Sequence, residues 1–450
     1  MLREILAYLF LITGTINFLH MVMYIVGANI YDIQAFLRKS KRGEKSSSRP
    51  LVSVLIPAYN EEKVIRRSLA SVWNSTYENI EIIVIDDGSI DSTADRARQF
   101  MSQRSKPSRP TNSKIVKSKN ILKRQWRRGQ TPIIRRVRLI SQKNAGKAAA
   151  LNNGLRGYAK GELVMSLDAD SILHKRAISN VIKYFDDPKV AGVAANVRII
   201  EEMTILGMLQ RFEHMIGYRS KKFYTAANCE LVIGGVASTY RYSTLKKVRY
   251  YDTNTTTEDI GLSMKIAAKG NKKNKLVYAA DVAAMTEGVG NIKSLLIQRY
   301  RWKLGSLQNF IKYRKILFNR DDKYTKTLSW YRMPMVIFGE IMLLMEPVVL
   351  IYLLYLSLRF LTPTLFVGGY LAITAYLLLT IWPDEHLTLA GKLKSSLLTP
   401  VIYFIFYIMN FVQLASVIRC LINFDRVIHL PKSEGNWISP SRAGKATSFS

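Results

Sequence analysis

The sequence predicts an α/β domain, a mostly parallel sheet flanked by helices, inserted between N-terminal and C-terminal membrane helices. Three observations carry that expectation. Short apolar runs alternate with helical stretches between residues 51 and 167, polar clusters follow those runs, and long apolar segments lie near both ends of the 450-residue chain. That length exceeds the usual single hydrophobic core, so more than one unit is expected.

Residues 5–36 are mostly apolar and long enough to cross a bilayer. Only Arg3 precedes them as a basic flank, no small-residue cleavage site follows, and the run outlasts a signal-peptide core, which makes it a retained anchor. Arg38, Lys39, Lys41, Arg42, Lys45 and Arg49 come next. Basic residues accumulate on the cytoplasmic flank, which places residues 38 to about 330 in the cytoplasm.

Residues 51–57 (LVSVLIP) read as a buried strand, 64–73 as the following helix, and 80–85 (IEIIVI) as a second strand ending in Asp86-Asp87-Gly88-Ser89. A helix, a short strand near 137–140, a helical stretch from Gly146 to Tyr158 and a strand at 163–167 complete the series. Strands separated by helices imply a parallel sheet covered on both faces. Ligands of such sheets bind beyond the carboxyl ends of the strands. Pro57-Ala58-Tyr59-Asn60, Asp86-Asp87 and Asp168-Ala169-Asp170 should therefore converge on one crevice.

Residues 101–140 interrupt the pattern with dense Lys and Arg and no acidic residue, and read as an inserted loop. Facing the membrane, it gains roughly 1 kcal/mol per basic residue near anionic lipid; the alternative is a solvated loop with no dedicated partner. Beyond it, Met333–Phe360, Leu361–Trp382 and Ser396–Cys420 are long enough to span, giving three or four spans in all. Glu340, Glu346 and Pro347 make the first of these partly interfacial or broken. Three spans after the α/β domain would put the C-terminus outside, whereas Arg419, Arg426, Lys432, Arg442 and Lys445 favour the inside. The division is an anchor at 1–37, a basic linker at 38–50, the α/β domain at 51–290 with a basic insertion at 101–138, amphipathic interfacial helices at 291–330, membrane helices at 331–422 and a polar tail at 423–450.

The formal charge of +33, from 66 basic against 33 acidic residues, implies an anionic partner. Aromatic residues other than Trp126 are missing from the basic stretch, so no specific nucleic acid is expected. Two cysteines, Cys229 and Cys420, are too few for a disulfide framework and fit a reduced compartment.

The chemistry concentrates at six places. Asp168 and Asp170, one residue apart past a buried strand, can hold a hard divalent cation, which prefers a few carboxylates plus phosphate oxygens. Asn60-Glu61-Glu62 and Asp86-Asp87 can accept hydrogen bonds from a base or ribose, or cap helices. Asn144-Ala145-Gly146-Lys147 is a glycine turn opening a helix, which offers backbone N–H groups and a lysine to a phosphate, without the spacing of a Walker A loop. Thr257-Glu258-Asp259 is an N-cap with acidic first-turn residues, a general base, or both. Gln298, Arg301 and Trp302 lie on a helical run with an apolar stripe of Ile292, Leu296, Tyr300, Leu304, Leu307 and Ile311. Lys293, Arg299, Lys303, Lys312 and Arg314 flank the stripe, as in a helix lying in the membrane interface. There an arginine can grip a diphosphate and an indole can stack on a sugar.

In this order the motifs resemble the family 2 glycosyltransferases with a GT-A fold, specifically the membrane-embedded processive synthases of poly-β-N-acetylglucosamine, chitin, hyaluronan and cellulose. The resemblance covers about residues 50–310 by motif, and the tail Trp437-Ile438-Ser439-Pro440 is similar to the bacterial poly-N-acetylglucosamine synthases. It implies a GT-A nucleotide-sugar-binding domain in which Pro57, Tyr59, Glu61, Asp86, Lys147 and Asp168 bind the nucleotide sugar, with Asp86 on the uridine. It further implies Mg²⁺ or Mn²⁺ at Asp168 and Asp170, Asp259 as base with Glu258 and Asp170 in the catalytic set, and Gln298, Arg301 and Trp302 on diphosphate and acceptor. Ile233-Gly234-Gly235 fits an acceptor-side loop more loosely and stays outside the catalytic set.

The implied activity is inverting transfer of a sugar, N-acetylglucosamine, from a UDP-sugar to a growing β-linked glycan by a multi-pass plasma-membrane protein with its catalytic domain in the cytoplasm, anionic lipid at its basic segments and room for an accessory subunit. The alternatives are a non-processive transferase moving one sugar to a lipid, and a non-enzymatic scaffold or transporter with Glu340 and Glu346 on a pathway.

Overall fold

The computed structural model describes residues 2–41, 49–105, 134–200, 204–360, 363–384 and 387–429. Most of the basic insertion, most of the basic linker and the tail with Trp437–Pro440 lie outside the described residues.

One sheet is built from β1 (Val52–Ala58), β2 (Ile80–Asp86), β3 (Arg135–Ser141), β4 (Leu163–Ser166), β5 (Ile172–Leu173), β6 (Val190–Ile199), β7 (Ser238–Arg241) and β8 (Lys275–Thr286). Its order is β3-β2-β1-β4-β7-β6-β8-β5. The β3-β2-β1-β4 half is parallel, as is the β6–β8 pair, while β7 and β5 run antiparallel to their neighbours. Every residue of β1 and β2 is buried. Side chains alternate between faces along a strand, and the core divides accordingly. Leu55, Ile83, Ile85 and Val164 pack with Leu151 and Leu155 on one side. Val54, Ile56, Ile82, Val84 and Met165 pack with Ile65, Leu69 and Phe100 on the other. Burial on both faces is why these strands read as mostly apolar runs.

Glu81 breaks that apolar pattern and is fully buried. It accepts hydrogen bonds from Ser53 Oγ (2.6 Å), the Lys160 N–H (2.7 Å) and Arg136 Nε and Nη2 (3.1 and 2.5 Å), which join β1, β2, β3 and the turn before β4.

The N-terminal helix Leu2–Lys41 is docked on the domain rather than tethered to it. Tyr31 is buried; its hydroxyl donates to the Tyr278 carbonyl (3.0 Å) and accepts from the Ala280 N–H (3.2 Å). Lys222 pairs with Asp32 at 2.6 Å. A Cβ on Gly27 would lie 2.3 Å from the Phe223 ring, so the helix Ile205–Ala226 approaches where only glycine fits.

Among the described residues, three helical segments are long and apolar enough to cross a membrane, Ala7–Leu37, Thr327–Phe360 and Phe404–Ile422, with a shorter apolar helix at Val367–Ile381. The stretch expected to be broken at Pro347 is one continuous helix, Met333–Phe360. Its acids have protein partners: Glu340 accepts from Lys303 Nζ (2.8 and 2.9 Å) and Glu346 from the Asn410 carboxamide.

Burial alone would push the Glu81 pKa up, but the hydrogen bonds from Ser53, Lys160 and Arg136 and the Arg136 charge outweigh it and hold it below the usual 4.5. A depressed folded-state pKa contributes stability above the unfolded value and loses it as pH falls through the folded one. Glu81→Gln should therefore lower the thermal midpoint at neutral pH, and the gap to the native protein should narrow as pH falls below 4.5.

Candidate active site

Because β2, β1 and β4 are adjacent and parallel, the turns after them share one rim of the sheet. Asp86 and the turn after β4 stand two strand spacings apart, about 10 Å.

The turns after β1 and β2 are stitched together. Asn60, in a left-handed conformation (φ 55°), accepts from the Ile90 N–H at 3.0 Å and donates its own N–H to Ser89 Oγ at 3.0 Å. The Glu61 N–H donates to Thr93 Oγ1 (2.7 Å). Pro57 and Glu61 are buried, Tyr59 is half-buried beside them, and buried Asp86 accepts from the Ser89 N–H (3.2 Å).

Asp87 corrects one expectation about the glycine turn. This fully buried carboxylate accepts from the Ala145 N–H (3.0 Å), the Gly146 N–H (2.8 Å) and Gln142 Nε2 (2.7 Å). Two backbone donors expected to meet a phosphate are thus taken by the protein's own acid. Burial pushes the Asp87 carboxyl up despite those bonds. Gly146 (φ 88°) still starts the helix Lys147–Gly157, and the Lys147 side chain alone reaches the rim.

There Lys147 Nζ lies 2.7 Å from Asp168 Oδ1 and 3.1 Å from Glu258 Oε1. Burial opposes its charge, but Asp168, Glu258 and Asp259 outweigh that and hold its pKa above the ordinary lysine value. Asp259 is pushed up to about 6, first by burial and then by Glu258, against the pull of Lys147. Glu258 and Asp259 open the helix Glu258–Ala267. Thr257 at its N-cap makes no side-chain cap bond; its carbonyl accepts from the Gly261 N–H at 3.1 Å.

Gly235, left outside the catalytic set, lies against this cluster. A Cβ on it would lie 3.2 Å from Lys147 Nζ, 3.5 Å from Asp259 Oδ2 and 3.9 Å from Asp168 Oδ1. Ser263 fixes that loop: it accepts from the Ile233 N–H (2.9 Å) and donates to the Asp259 carbonyl (2.8 Å). A Gly-Gly pair after a buried apolar run was the available sequence signal.

Buried Asp170 accepts from Ser171 Oγ at 3.0 Å and Thr286 Oγ1 at 3.4 Å. No group of three or more His, Cys, Asp or Glu side chains placed to hold a metal occurs among the described residues. Asp168 and Asp170 carry oxygens of the kind a hard cation takes, and such a cation would need further oxygens, such as those of a phosphate, to complete its shell.

The helix Ile292–Lys312 holds the last group. Its apolar stripe meets protein: Leu295 and Leu296 cluster with Met409 and Val412, and Leu304 with Cys420 and Val427. Arg299, expected on the flank, is buried and pairs with Glu213 at 2.6 Å, its guanidinium 4.3 Å from the Trp302 ring centroid. Burial pushes Arg299 down and Glu213 up. Gln298 Oε1 is buried without a hydrogen-bond partner, Arg301 is exposed and Trp302 is 37% exposed. Hydrogen bonds from Gln308 and Asn309 on this helix reach Thr255–Thr257, the loop just before Glu258 and Asp259.

Comparison with known proteins agrees with this geometry. Residues 49–305 match the family described as "Glycosyltransferase like family 2". The chain is 30% identical over 313 residues, 69% of its own length, to the poly-beta-1,6-N-acetyl-D-glucosamine synthase of Staphylococcus aureus (strain COL). It is 32% identical over 259 residues, 56% of the chain and 54% of the relative, to the synthase of the same name from Staphylococcus epidermidis. The match spans 64% of the first relative, less than two thirds of its length. Among solved structures, a mannosyltransferase from Pyrobaculum calidifontis in complex with GDP-Man and Mn²⁺ superposes with a TM-score of 0.56 at 16% identity, over 93% of this chain and 99% of that one. It is similar in fold.

Removing one partner of a buried ion pair strands the other charge and costs roughly 3–5 kcal/mol. Glu213→Ala should therefore lower the unfolding midpoint in detergent clearly, and Glu213→Gln, which keeps an acceptor for Arg299, should lower it less.

Proposed function

The chain belongs to glycosyltransferase-like family 2, and from that premise we propose that it is a membrane-bound, inverting synthase. It transfers N-acetylglucosamine from a UDP-sugar to a growing β-linked polysaccharide. The observation that carries this reading is the Lys147–Asp168–Glu258–Asp259 cluster under Gly235, at the sheet rim that also bears Asp86.

In this mechanism Asp86 and the buried turn of Pro57, Tyr59 and Glu61 hold the nucleoside. A divalent cation, Mg²⁺ or Mn²⁺, at Asp168 and Asp170 would supply positive charge to the departing diphosphate. Lys147 supplies a fixed ammonium there, and Arg301 a second, bidentate cation. Trp302, stiffened by Arg299, offers an aromatic face to the acceptor sugar. Asp259 takes the proton from the acceptor hydroxyl as its oxygen bonds to the anomeric carbon. The carbon–oxygen bond to UDP breaks on the opposite face, which inverts the centre.

The basic residues after the first apolar helix support a cytoplasmic domain on a multi-pass plasma-membrane protein, with anionic lipid against its basic segments. In this reading the C-terminal helices form a passage for the growing glycan, and an accessory subunit is a further partner.

Asp259→Asn should cut transfer by about 10²–10⁴ while leaving UDP-sugar affinity within a few-fold; unchanged turnover would remove Asp259 from the mechanism. The base works only when ionised. Transfer should therefore rise as pH rises through about 6, and that acid limb should be read from a kcat/KM profile. Chelation should stop transfer, with Mg²⁺ or Mn²⁺ restoring it. Sizing the product from labelled UDP-N-acetylglucosamine separates the readings: a ladder of long glycan supports the synthase, and one glycosylated lipid supports single transfer.

A further inference from the structure

We infer that Gln308, with Asn309 beside it, is a positioning residue for Asp259, tying the backbone beyond the last apolar helix to the loop that delivers the Glu258–Asp259 pair. The inference rests on the reading of Asp259 as base. Gln308 and Asn309 are 1% and 0% exposed, two turns along the helix from Arg301 and Trp302. Gln308 uses both ends of its carboxamide. Oε1 accepts from the Thr256 N–H (3.2 Å) and Thr256 Oγ1 (2.9 Å), and Nε2 donates to the Arg426 carbonyl (2.7 Å). Arg426 lies in the short helix Phe424–Ile428, directly after the helix Leu389–Ile422.

Asn309 Nδ2 donates to Thr255 Oγ1 (2.9 Å) and the Gly305 carbonyl (2.8 Å). Its Oδ1 would stand 3.0 Å from a Cβ on Gly261, in the turn that follows Asp259. Gly305 lets the loop come in: a Cβ there would sit 2.2 Å from Thr257 Oγ1. Upstream, Asn152 clamps the Tyr251 backbone through its carbonyl (2.9 Å) and N–H (3.0 Å). Asp252 pairs with both Lys265 and Lys312 at 2.6 Å. The segment 251–257 is therefore pinned along its length, and Asp259 follows it by two residues.

An apolar side chain at 308 would fill the same space without the cost of burying an amide. What the amide at 308 adds is direction, because it is hydrogen-bonded at both ends and so favours one arrangement. The same helix carries Trp302, so acceptor platform and base are set by one rigid rod. A displacement of about 1 Å in such a constellation can cost on the order of 10²-fold in rate.

The test uses the full-length protein in detergent with UDP-N-acetylglucosamine as donor, measuring UDP release and glycan formed. Gln308→Met should lower kcat by roughly 10- to 100-fold with donor KM within about twofold. Thr256→Val, which removes only the hydroxyl bond, should lower it several-fold with an unchanged unfolding midpoint. Native kcat in both variants would overturn the inference, as would a kcat loss no larger than the loss of folded protein. Asp259→Asn, run in parallel, separates the two readings. If it is inactive while Gln308→Met turns over normally, only the positioning role fails; if it retains turnover, the base assignment fails.

Discussion

One ammonium among three carboxylates is the contact on which the acidic rim depends. Asp168, Glu258 and Asp259 come from two distant stretches of chain, and without Lys147 their mutual repulsion at low dielectric would drive them apart or protonate them. With it, Asp168 and Glu258 each have a cation within 3.1 Å, and Asp259 keeps a proton affinity raised to about 6. Electrostatics thus gives neighbouring acids different work: one pair anchors the lysine, and the third remains free to exchange a proton near neutrality. Gly235 contributes by being small, since a Cβ there would crowd Lys147 Nζ at 3.2 Å and touch Asp259 and Asp168 at ordinary contact distance.

The parallel half of the sheet was legible because β1, β2 and β4 are buried on both faces and therefore mostly apolar despite Ser53, Glu81 and Ser166, with polar clusters in the turns that follow. β5 and β7, of two and four residues, are too short to carry a period, and the antiparallel pairing of β7 left no trace in the chain. The acids of the cluster could be read from their type and order. Asp87 could not: nothing in Asp86-Asp87 says that the second will bond the backbone of Ala145 and Gly146. Nor could Arg299, whose partner Glu213 lies on another helix, or Gln308, whose meaning comes from a carbonyl more than a hundred residues onward. Local sequence gives a helix its stripe, whereas tertiary partners decide which polar residues beside it face water.

The C-terminal helices follow the same rule in a harsher solvent. An ionisable residue in an apolar span survives where a partner meets it, and Glu340 and Glu346 have Lys303 and Asn410. Lys303 sits next to Trp302 on the motif-bearing helix, so that helix is bonded at its middle to one apolar segment and at its end to the backbone after another.

The docking of the N-terminal helix has a consequence for geography. A helix spanning Ala7–Leu37 is about 46 Å long, against roughly 30 Å of hydrocarbon, so its final turns stand proud of the lipid. Those turns include Tyr31 and Asp32, which are bolted into the sheet and its neighbouring helix. Packing and hydrogen bonds, besides chain connectivity, thus join this helix to the α/β domain. In the reading proposed above, the reaction centre would keep a constant height above the lipid, and the product would leave it beside the membrane surface.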